Sequence, residues 1–301
     1  MNKTQLETFR GLVNQFDFDS NNNIKLSCLN KVLEDAMSFL SSLLDTTINA
    51  DISEGYLLNH SKTKAENFST IYVLSDLLQN EDNDLVIVKN LYLSKDINFD
   101  KDQLIFSKQY VLKKINLNEL SFINTKTQKG VFSAYKGIVK KEDCDQMAHM
   151  NVQFYFGKHS DAIKNLFNEI SSNLKQNVNF EIENERCIFS KEVHLNCALE
   201  IVLNLKSISK NKLLLLSKVF CPNNRNVSAY FEITISLNIS ERIKEVINKI
   251  FISNNNTYLN ELEFKKLRPL EDNRPSKKFD NTAFITCKKA VNTWDLDYSQ
   301  M

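Results

Sequence analysis

The stretch Asp-Cys-Asp-Gln-Met-Ala-His-Met-Asn in the middle of the chain carries the side chains best suited to chemistry. It contains Asp145, His149 and Asn151, and Cys144 precedes the first of them. The apolar spacing that follows predicts a helix, so Asp145 would stand just before a helix N-terminus, where backbone N–H groups lack intrahelical partners. A carboxylate at that place can attack a carbonyl carbon or deprotonate a water, while the N–H groups polarise the carbonyl oxygen.

Other interpretations of the same residues stay open. An Asp before a helix is a common turn or N-cap residue with no catalytic role. Cys144 and His149 could imitate a nucleophile pair, but Asp143, Cys144 and Asp145 are expected to alternate along a strand, which would turn the thiol away. His159 falls on the apolar stripe of the helix and is expected to be a hydrogen-bonded core residue.

The elements that would position these residues occur twice. Apolar residues at helical spacing follow Asp19, from Leu26 to Leu44, and follow Asp145, from Val152 to Ile170. Four β-rich runs come after each helix. They are Tyr56 to His60, Phe68 to Leu78, Leu85 to Leu93 and Gln103 to Leu112, then Cys187 to Leu195, Leu199 to Ile208, Lys212 to Phe220 and Val227 to Leu237.

The residues before each helix also repeat. Arg10 to Asp19 matches Lys136 to Asp145 at an offset of 126 residues, and a third copy runs from Phe284 to Asp297 without a helix after it. We therefore predict domains at residues 1–126 and 127–252, with a linker and a partial third repeat at 253–301. The third copy fits a piece of a longer protein or a remnant strand.

Each unit is of the α+β class, with one strand, one long helix and four more strands. Consecutive strands joined by short turns are antiparallel, and the helix needs the sheet to cover its apolar stripe. We expect the two units to join edge to edge as a pseudo-dimer. Asp19 and Asp145 would then lie at equivalent places.

The spacing around Asp145 resembles V-x-x-x-D-x-D-x-x-G-H-x-N-x-x-x-Y, the signature of hotdog-fold acyl thioesterases of the 4-hydroxybenzoyl-CoA thioesterase type. The matching residues are Val139, Asp143, Asp145, His149, Asn151 and Tyr155, with Ala148 in place of the glycine. The resemblance implies a tandem hotdog, each unit a long central helix wrapped by an antiparallel sheet.

The resemblance also implies roles for single residues. Asp145 would be the nucleophile or general base, with the backbone N–H near Val152 as oxyanion donor. His149 would shape the turn, and Asn151 would cap the helix through its side-chain oxygen. The implied site comprises the catalytic residues Asp145, His149 and Asn151 and the substrate-binding residues Val152, Tyr155 and Ala148.

Two departures from the signature bear on activity. Ala148 would be strained if its position needs a positive φ, so Ala148→Gly is expected to raise turnover at a small loss of stability. The first copy has Asn23, Lys25 and Leu29 where the second has His149, Asn151 and Tyr155. We expect the Asp19 copy to be inactive.

Two function classes follow. The first is a thioester hydrolase of lipid metabolism acting on acyl-CoA or acyl carrier protein, with water as co-substrate and no metal or redox cofactor. The second is a non-catalytic hotdog protein that binds acyl groups or serves in assembly. The hydratase type of the fold is disfavoured because its D-x-N-P-x-H motif is absent. Self-association through the sheets is a further expectation.

Composition and charge narrow the classes of function and location that remain. The 301 residues carry a formal net charge of +1, which provides no general field for nucleic acid or anionic membranes. No apolar run reaches the roughly 18 residues that span a bilayer, and no secretion signal begins the chain, so we expect a cytoplasmic protein. The six cysteines form no CxxC pair, which favours reduced, buried thiols over a metal site.

Overall fold

A computed structural model describes residues 3–44, 53–58, 65–79, 84–94, 103–112, 130–223, 226–253 and 284–288. The first half contains β1 (Lys3–Leu12), α1 (Leu26–Leu43), β2 (Ser53–Leu58), β3 (Thr70–Gln79), β4 (Leu85–Leu93) and β5 (Gln103–Leu112). The second contains β6 (Val131–Ile138), α2 (Val152–Leu174), β7 (Glu181–Phe189), β8 (Ala198–Ile208), β9 (Lys212–Cys221) and β10 (Asn226–Ser236). Two further elements follow, α3 (Glu241–Ser253) and β11 (Phe284–Lys288).

The strands of these ranges form one antiparallel sheet in the order β11-β7-β10-β9-β8-β6-β1-β3-β4-β5-β2. Read outward from the junction of β6 and β1, both halves have the same order, because β1, β3, β4, β5 and β2 correspond to β6, β8, β9, β10 and β7. The α+β class, the antiparallel pairing and the edge-to-edge junction are therefore confirmed.

Each long helix forms because its apolar residues share one face that the sheet covers. In α1 the buried residues include Leu29, Leu33, Ala36 and Leu40, spaced at three and four positions. Burial alternates strictly along β4, so one face of that strand points to the helix. The helix and the inner face of the sheet together enclose the core of each half.

The two cores differ in composition. The first half has two apolar clusters, one with Ile71 and Leu91 and one with Leu77 and Ile87. Ser75 and Lys89 take the inward positions between those clusters on β3 and β4, and Lys89 is fully buried. In the second half one larger continuous cluster surrounds α2, and a small separate cluster contains Val131, Val202 and Phe220.

A group of charges lies where the halves join, with Lys136 and Glu200 buried and Glu7 and Arg10 half-buried. Arg10 on β1 pairs in register with Lys136 on β6, and Lys136 Nζ lies 3.4 Å from Glu7 Oε1 and 4.0 Å from Glu200 Oε1. Burial raises the pKa of Glu7, but the charges of Arg10 and Lys136 outweigh it and bring that pKa to about 2. The junction is therefore an ion-pair network as well as a strand pairing.

Each helix also contacts the other half. Asp35 on α1 forms an ion pair with Lys140, which follows β6, at 2.7 Å. Thr70 on β3 donates a hydrogen bond to Asn165 on α2 at 2.7 Å. The pseudo-dimer is thus held by the pairing of β6 with β1 and by contacts of both helices.

Two sequence predictions concern the outer edge of the second half's strands. The strand predicted from Cys187 to Leu195 was wrong in position, because β7 ends at Phe189 and a loop with polar Lys191 and Glu192 follows. The predicted third first strand does contain a strand, β11, which pairs with β7 at the sheet edge. The predicted linker, apart from its first residue, and residues 289–301 lie outside the described residues, and the domain boundaries stay a prediction.

Within the described ranges no helix is long and apolar enough to cross a membrane. The same ranges hold no group of three or more His, Cys, Asp or Glu that could bind a metal ion. Five cysteines of these ranges form no disulfide, and they are Cys28, Cys144 and Cys197, which are half-buried, and Cys187 and Cys221, which are buried.

Candidate active site

The segment between β6 and α2 is a structured turn, and it corrects one prediction. Lys141–Asp143 forms a 3-10 turn, and Cys144 makes an isolated bridge to Met150, so Asp143, Cys144 and Asp145 do not alternate along a strand. Asp143 is buried and pairs with Lys158 at 2.8 Å, whereas Asp145 is exposed. The two carboxylates therefore have separate surroundings.

Asp145 is held through one of its two carboxylate oxygens. Oδ1 accepts hydrogen bonds from the N–H groups of Met147 at 2.8 Å and His149 at 3.0 Å. The Asp145 N–H donates to the His149 carbonyl at 2.9 Å, which closes the turn. No residue in the described part of the chain donates to Oδ2, so this oxygen is available to a water or a substrate.

The Asp19 turn of the first half repeats this geometry. Asp19 Oδ1 accepts from the N–H groups of Asn21 at 2.8 Å and Asn23 at 2.9 Å, and the Asp19 N–H donates to the Asn23 carbonyl at 2.8 Å. The backbone hydrogen bonds from Asn23 and Asn21 lower the pKa of Asp19. Here the second oxygen is not free, because Asn23 Nδ2 lies 3.4 Å from Oδ2.

His149 occupies the position of Asn23 but turns its ring elsewhere. Its Nδ1 lies 3.4 Å from Glu192 Oε2, and its ring meets that of His194 edge to face at 4.7 Å between centroids. His149 and His194 also form an isolated backbone bridge. Sequence reasoning missed Glu192 and His194 because it placed them in a strand; the polar Lys191 and Glu192 were the available signal for a loop.

The helix that follows begins as predicted, without the predicted cap. Asn151 takes the N-cap position at φ −64° and ψ 146°, but its side chain makes no capping hydrogen bond. Its backbone N–H instead donates to the Asp143 carbonyl at 2.9 Å. Val152 is the first residue of α2, so its N–H belongs to the turn that lacks acceptors within the helix.

Ala148 sits in the left-handed region, at φ 61°. Placing a residue with a Cβ in this region costs about 1–2 kcal/mol of conformational free energy, and glycine avoids this cost. We therefore expect Ala148→Gly to stabilise the protein, which is the opposite sign to the expectation from the sequence. Asn22 holds the same φ of 61° in the first turn, and Asn tolerates it better.

Tyr155 lies in the interior, below the surface of the turn. It is buried, with its ring edge to face against Phe189 at 5.2 Å, and burial raises the pKa of its hydroxyl. Burial also raises the pKa of Cys144, and the charges of Asp143 and Asp145 add to the effect. A raised pKa keeps the Cys144 thiol protonated, whereas the nucleophile would be the thiolate. This argues against Cys144 and His149 as a nucleophile pair.

Lys158 supports the turn from the second helical turn of α2. Its Nζ lies 2.8 Å from Asp143 Oδ2 and 3.4 Å from the Tyr135 hydroxyl. Three residues further on, burial raises the pKa of Asp161 to about 6 against the lowering effect of Lys158 and Lys164. Neither Lys158 nor Asp161 stood out in the sequence, because both look like ordinary polar positions of an amphipathic helix.

His159 is a core residue, as predicted. Its Nε2 lies 2.8 Å from Ser217 Oγ, its Nδ1 contacts Glu185 Oε1, and its ring stacks on Phe231 at 4.0 Å. The order serine, histidine and carboxylate resembles a catalytic triad. All three side chains are at most 1% exposed, so substrate has no access and the network joins α2 to β7 and β9.

No protein-family model matches the chain, and no curated protein matches it. An acyl-CoA hydrolase from Agrobacterium tumefaciens is similar in structure, with a TM-score of 0.52 and 11% identity over 78% of this chain and 95% of that one. A thioesterase from Thermus thermophilus, complexed with coenzyme A and zinc, matches at a TM-score of 0.36 and 15% identity over 41% and 97%.

The Agrobacterium tumefaciens protein spans both halves of this chain at an identity that establishes fold alone. Together with the duplicated strand order, the match shows a tandem hotdog fold. The fold expected from the signature around Asp145 is confirmed.

Proposed function

We propose that this chain hydrolyses acyl thioesters, with acyl-CoA as the substrate class and Asp145 as the catalytic carboxylate. One observation carries the proposal: Asp145 stands just before the N-terminus of α2 with Oδ1 anchored by two N–H groups and Oδ2 open. The similar Agrobacterium tumefaciens protein is an acyl-CoA hydrolase, and its fold supports this substrate class.

In the proposed reaction the thioester carbonyl oxygen lies at the Val152 N–H. Asp145 Oδ2 takes a proton from a water, and the resulting hydroxide adds to the carbonyl carbon. The oxyanion is stabilised by the N–H groups and positive dipole end of α2. The intermediate then expels the thiolate, which takes the proton from Asp145, so the products are a carboxylic acid and a free thiol.

A second version uses the same residues. Asp145 Oδ2 attacks the carbonyl carbon itself and expels the thiolate, leaving a mixed anhydride that water opens. Rapid quenching followed by mass spectrometry of the Asp145 peptide separates the two, because only the second version leaves an acyl group on Asp145.

The other site residues have supporting roles in this proposal. His149 closes the turn through its backbone and holds the loop after β7 through Glu192 and His194. Asn151 directs the chain into α2, and Ala148 and Tyr155 border the substrate. The reaction needs no metal or redox cofactor, and acyl carrier protein is a further candidate carrier of the acyl group.

Purified protein tested against short, long and aromatic acyl-CoA and against acyl carrier protein should release thiol from at least one of them. The alternative is a non-catalytic acyl-binding protein, and the strained Ala148 favours it because its methyl group stands where the signature has glycine. Binding of acyl-CoA without thiol release, by both wild type and Ala148→Gly, would establish the alternative.

Asp161 is the carboxylate that competes for the role of base. Its pKa of about 6 would produce a rise in activity around that pH. We expect Asp161→Asn to retain hydrolysis, because Asp145 is the base in this proposal. A limb near pH 6 that disappears in Asp161→Asn would move the base to α2.

A further inference from the structure

Two cysteines meet where β8 begins and β9 ends. Cys197 immediately precedes β8, and Cys221 is the last residue of β9. The two strands pair as far as Glu200 and Phe220 at this end, so the ladder fixes the backbone beside both thiols. The two sulfur atoms lie 2.6 Å apart. Because a disulfide places its sulfur atoms about 2.05 Å apart, bond formation here needs only a small side-chain movement.

The two thiols differ in access and in acidity. Cys197 is half-buried beside the exposed Asn196, whereas Cys221 is 3% exposed. The hydrogen bond between the sulfurs lowers the pKa of Cys197, while that bond and burial raise the pKa of Cys221. Since the thiolate is the nucleophile, Cys197 is the thiol that reacts with a reagent from solvent. Cys221 then lies within reach of the oxidised Cys197.

Cys28 and Cys144, which are also half-buried, have the opposite acidity. Burial and the charge of Asp17 raise the pKa of Cys28 to about 12. Burial also raises the pKa of Cys144. Both thiols are therefore protonated at neutral pH and should react slowly with oxidants. Their similar burial makes them matched controls within the same chain.

Cys197 also ends the loop that contacts the Asp145 turn. The Val193 carbonyl in this loop accepts a hydrogen bond from the N–H of Met150, at the end of that turn, at 2.8 Å. A covalent bond from Cys197 to Cys221 would therefore tie this loop to β9. Such a bond would modify the protein beside the Asp145 turn without using any group of the turn itself.

We propose that Cys197 and Cys221 form a reversible disulfide when the protein meets a hydroperoxide. The Cys197 thiolate attacks the terminal peroxide oxygen, the O–O bond breaks, and hydroxide or alkoxide leaves, so that Cys197 becomes a sulfenic acid. The Cys221 sulfur then attacks the Cys197 sulfur, the S–O bond breaks, and the hydroxyl group leaves with the Cys221 proton as water. The two thiols lose two electrons, which reduce the peroxide. An external dithiol reverses the bond by exchange and is itself oxidised.

Peptide mapping tests the bond directly and does not depend on thioester hydrolysis. Reduced protein is exposed to hydrogen peroxide, alkylated with iodoacetamide and digested with trypsin without reduction. Trypsin places Cys197 in residues 192–206 and Cys221 in residues 219–225, and neither peptide contains another cysteine. The two peptides should appear joined, at the sum of their masses less two hydrogen atoms, and dithiothreitol should separate them. Peroxide treatment that leaves these peptides unjoined would overturn the proposal.

Serine variants test the role of each thiol. In Cys221→Ser, dimedone should trap a sulfenic acid on Cys197, whereas Cys197→Ser should leave Cys221 unmodified. In wild type the Cys197 thiol should disappear at least about tenfold faster than the thiols of Cys28 and Cys144. Equal rates for these three thiols, or a sulfenic acid that forms first on Cys221, would contradict the assignment.

The melting temperature separates a bond that fits the fold from one that distorts it. A cross-link between residues already in contact restricts the unfolded chain, so oxidised wild type should melt at a higher temperature than reduced wild type. Cys28→Ser is the matched control and should show the same increase on oxidation, whereas Cys197→Ser should show none. A lower melting temperature after oxidation of wild type would mean that the bond strains β8 and β9, and the proposal would be wrong.

Discussion

The turns at Asp19 and Asp145 have the same backbone and different chemistry. In both, one carboxylate oxygen accepts two N–H groups at the second and fourth following residues. Asn23 Nδ2 approaches Oδ2 of Asp19. His149 leaves Oδ2 of Asp145 open, because its ring pairs with Glu192 instead. Both halves keep the hydrogen-bond frame that shapes the turn, and a single side-chain difference sets whether the second carboxylate oxygen is engaged.

The interiors behind the turns differ in the same way. Lys89 and Ser217 take corresponding inward positions, each four residues after the buried Leu85 or Leu213. In the second half Ser217 joins the His159 and Glu185 network, whereas in the first half no described residue makes a hydrogen bond to Lys89 Nζ. The comparison can be tested by exchanging these features.

The largest effect is expected for His159→Leu, which installs the residue found at the equivalent position, Leu33. Glu185 would then remain buried without its partner, and the free energy of unfolding should fall by about 3–5 kcal/mol. Urea unfolding followed by circular dichroism measures the change. The double variant His159→Leu with Glu185→Met should recover part of the loss; a single variant as stable as wild type would show that the network adds nothing to the second half.

Lys89→Met should have the opposite sign. Removing an unpaired buried amine while keeping its apolar stem should raise the free energy of unfolding by about 1–3 kcal/mol. Burial holds the pKa of Lys89 well below its usual range, so the folded state lacks a proton that the unfolded state binds. Lys89 should therefore make the free energy of unfolding of the wild type increase as the pH rises toward about 10. Lys89→Met should lose this increase. A variant less stable than wild type would indicate a partner for Lys89.

A smaller effect is expected where the two turns need a positive φ. Ala148→Gly should raise the free energy of unfolding by about 1 kcal/mol, because glycine removes the strain of the Cβ. Asn22→Gly should change it by less, since Asn already tolerates that conformation. Calorimetric melting of both variants provides the comparison. Equal shifts would show that residue type at this position does not distinguish the turns.

Much of this architecture could be predicted from the sequence because it depends on periodicity and repetition. The spacing of Leu29, Leu33 and Leu40 marks a helix, and the match of Asp19 with Asp145 shows the duplication. Pairing of chain neighbours in an antiparallel sheet accounts for β3, β4 and β5, but it does not account for β1 beside β3 or β2 beside β5. The end of β7 was misplaced because apolar Val193 and Leu195 continue the pattern of a strand beyond Phe189.

The site was less predictable because it depends on which groups meet in space. The sequence does not show that Asn151 leaves its side chain out of the cap, or that Lys158 reaches Asp143. The left-handed conformation of Ala148 was only a condition in the sequence argument, and the backbone supplies it. Long-range contacts such as His149 with His194 have no periodic signal.

The most direct test of the central claim compares Asp145→Asn with Asp19→Asn in thiol release from the best acyl-CoA substrate. Both variants keep the shape of the side chain and remove the same charge from turns of the same geometry. The account predicts that kcat falls by about a hundredfold or more in Asp145→Asn and changes little in Asp19→Asn. Equal losses in the two variants, or an unimpaired Asp145→Asn enzyme, would contradict it.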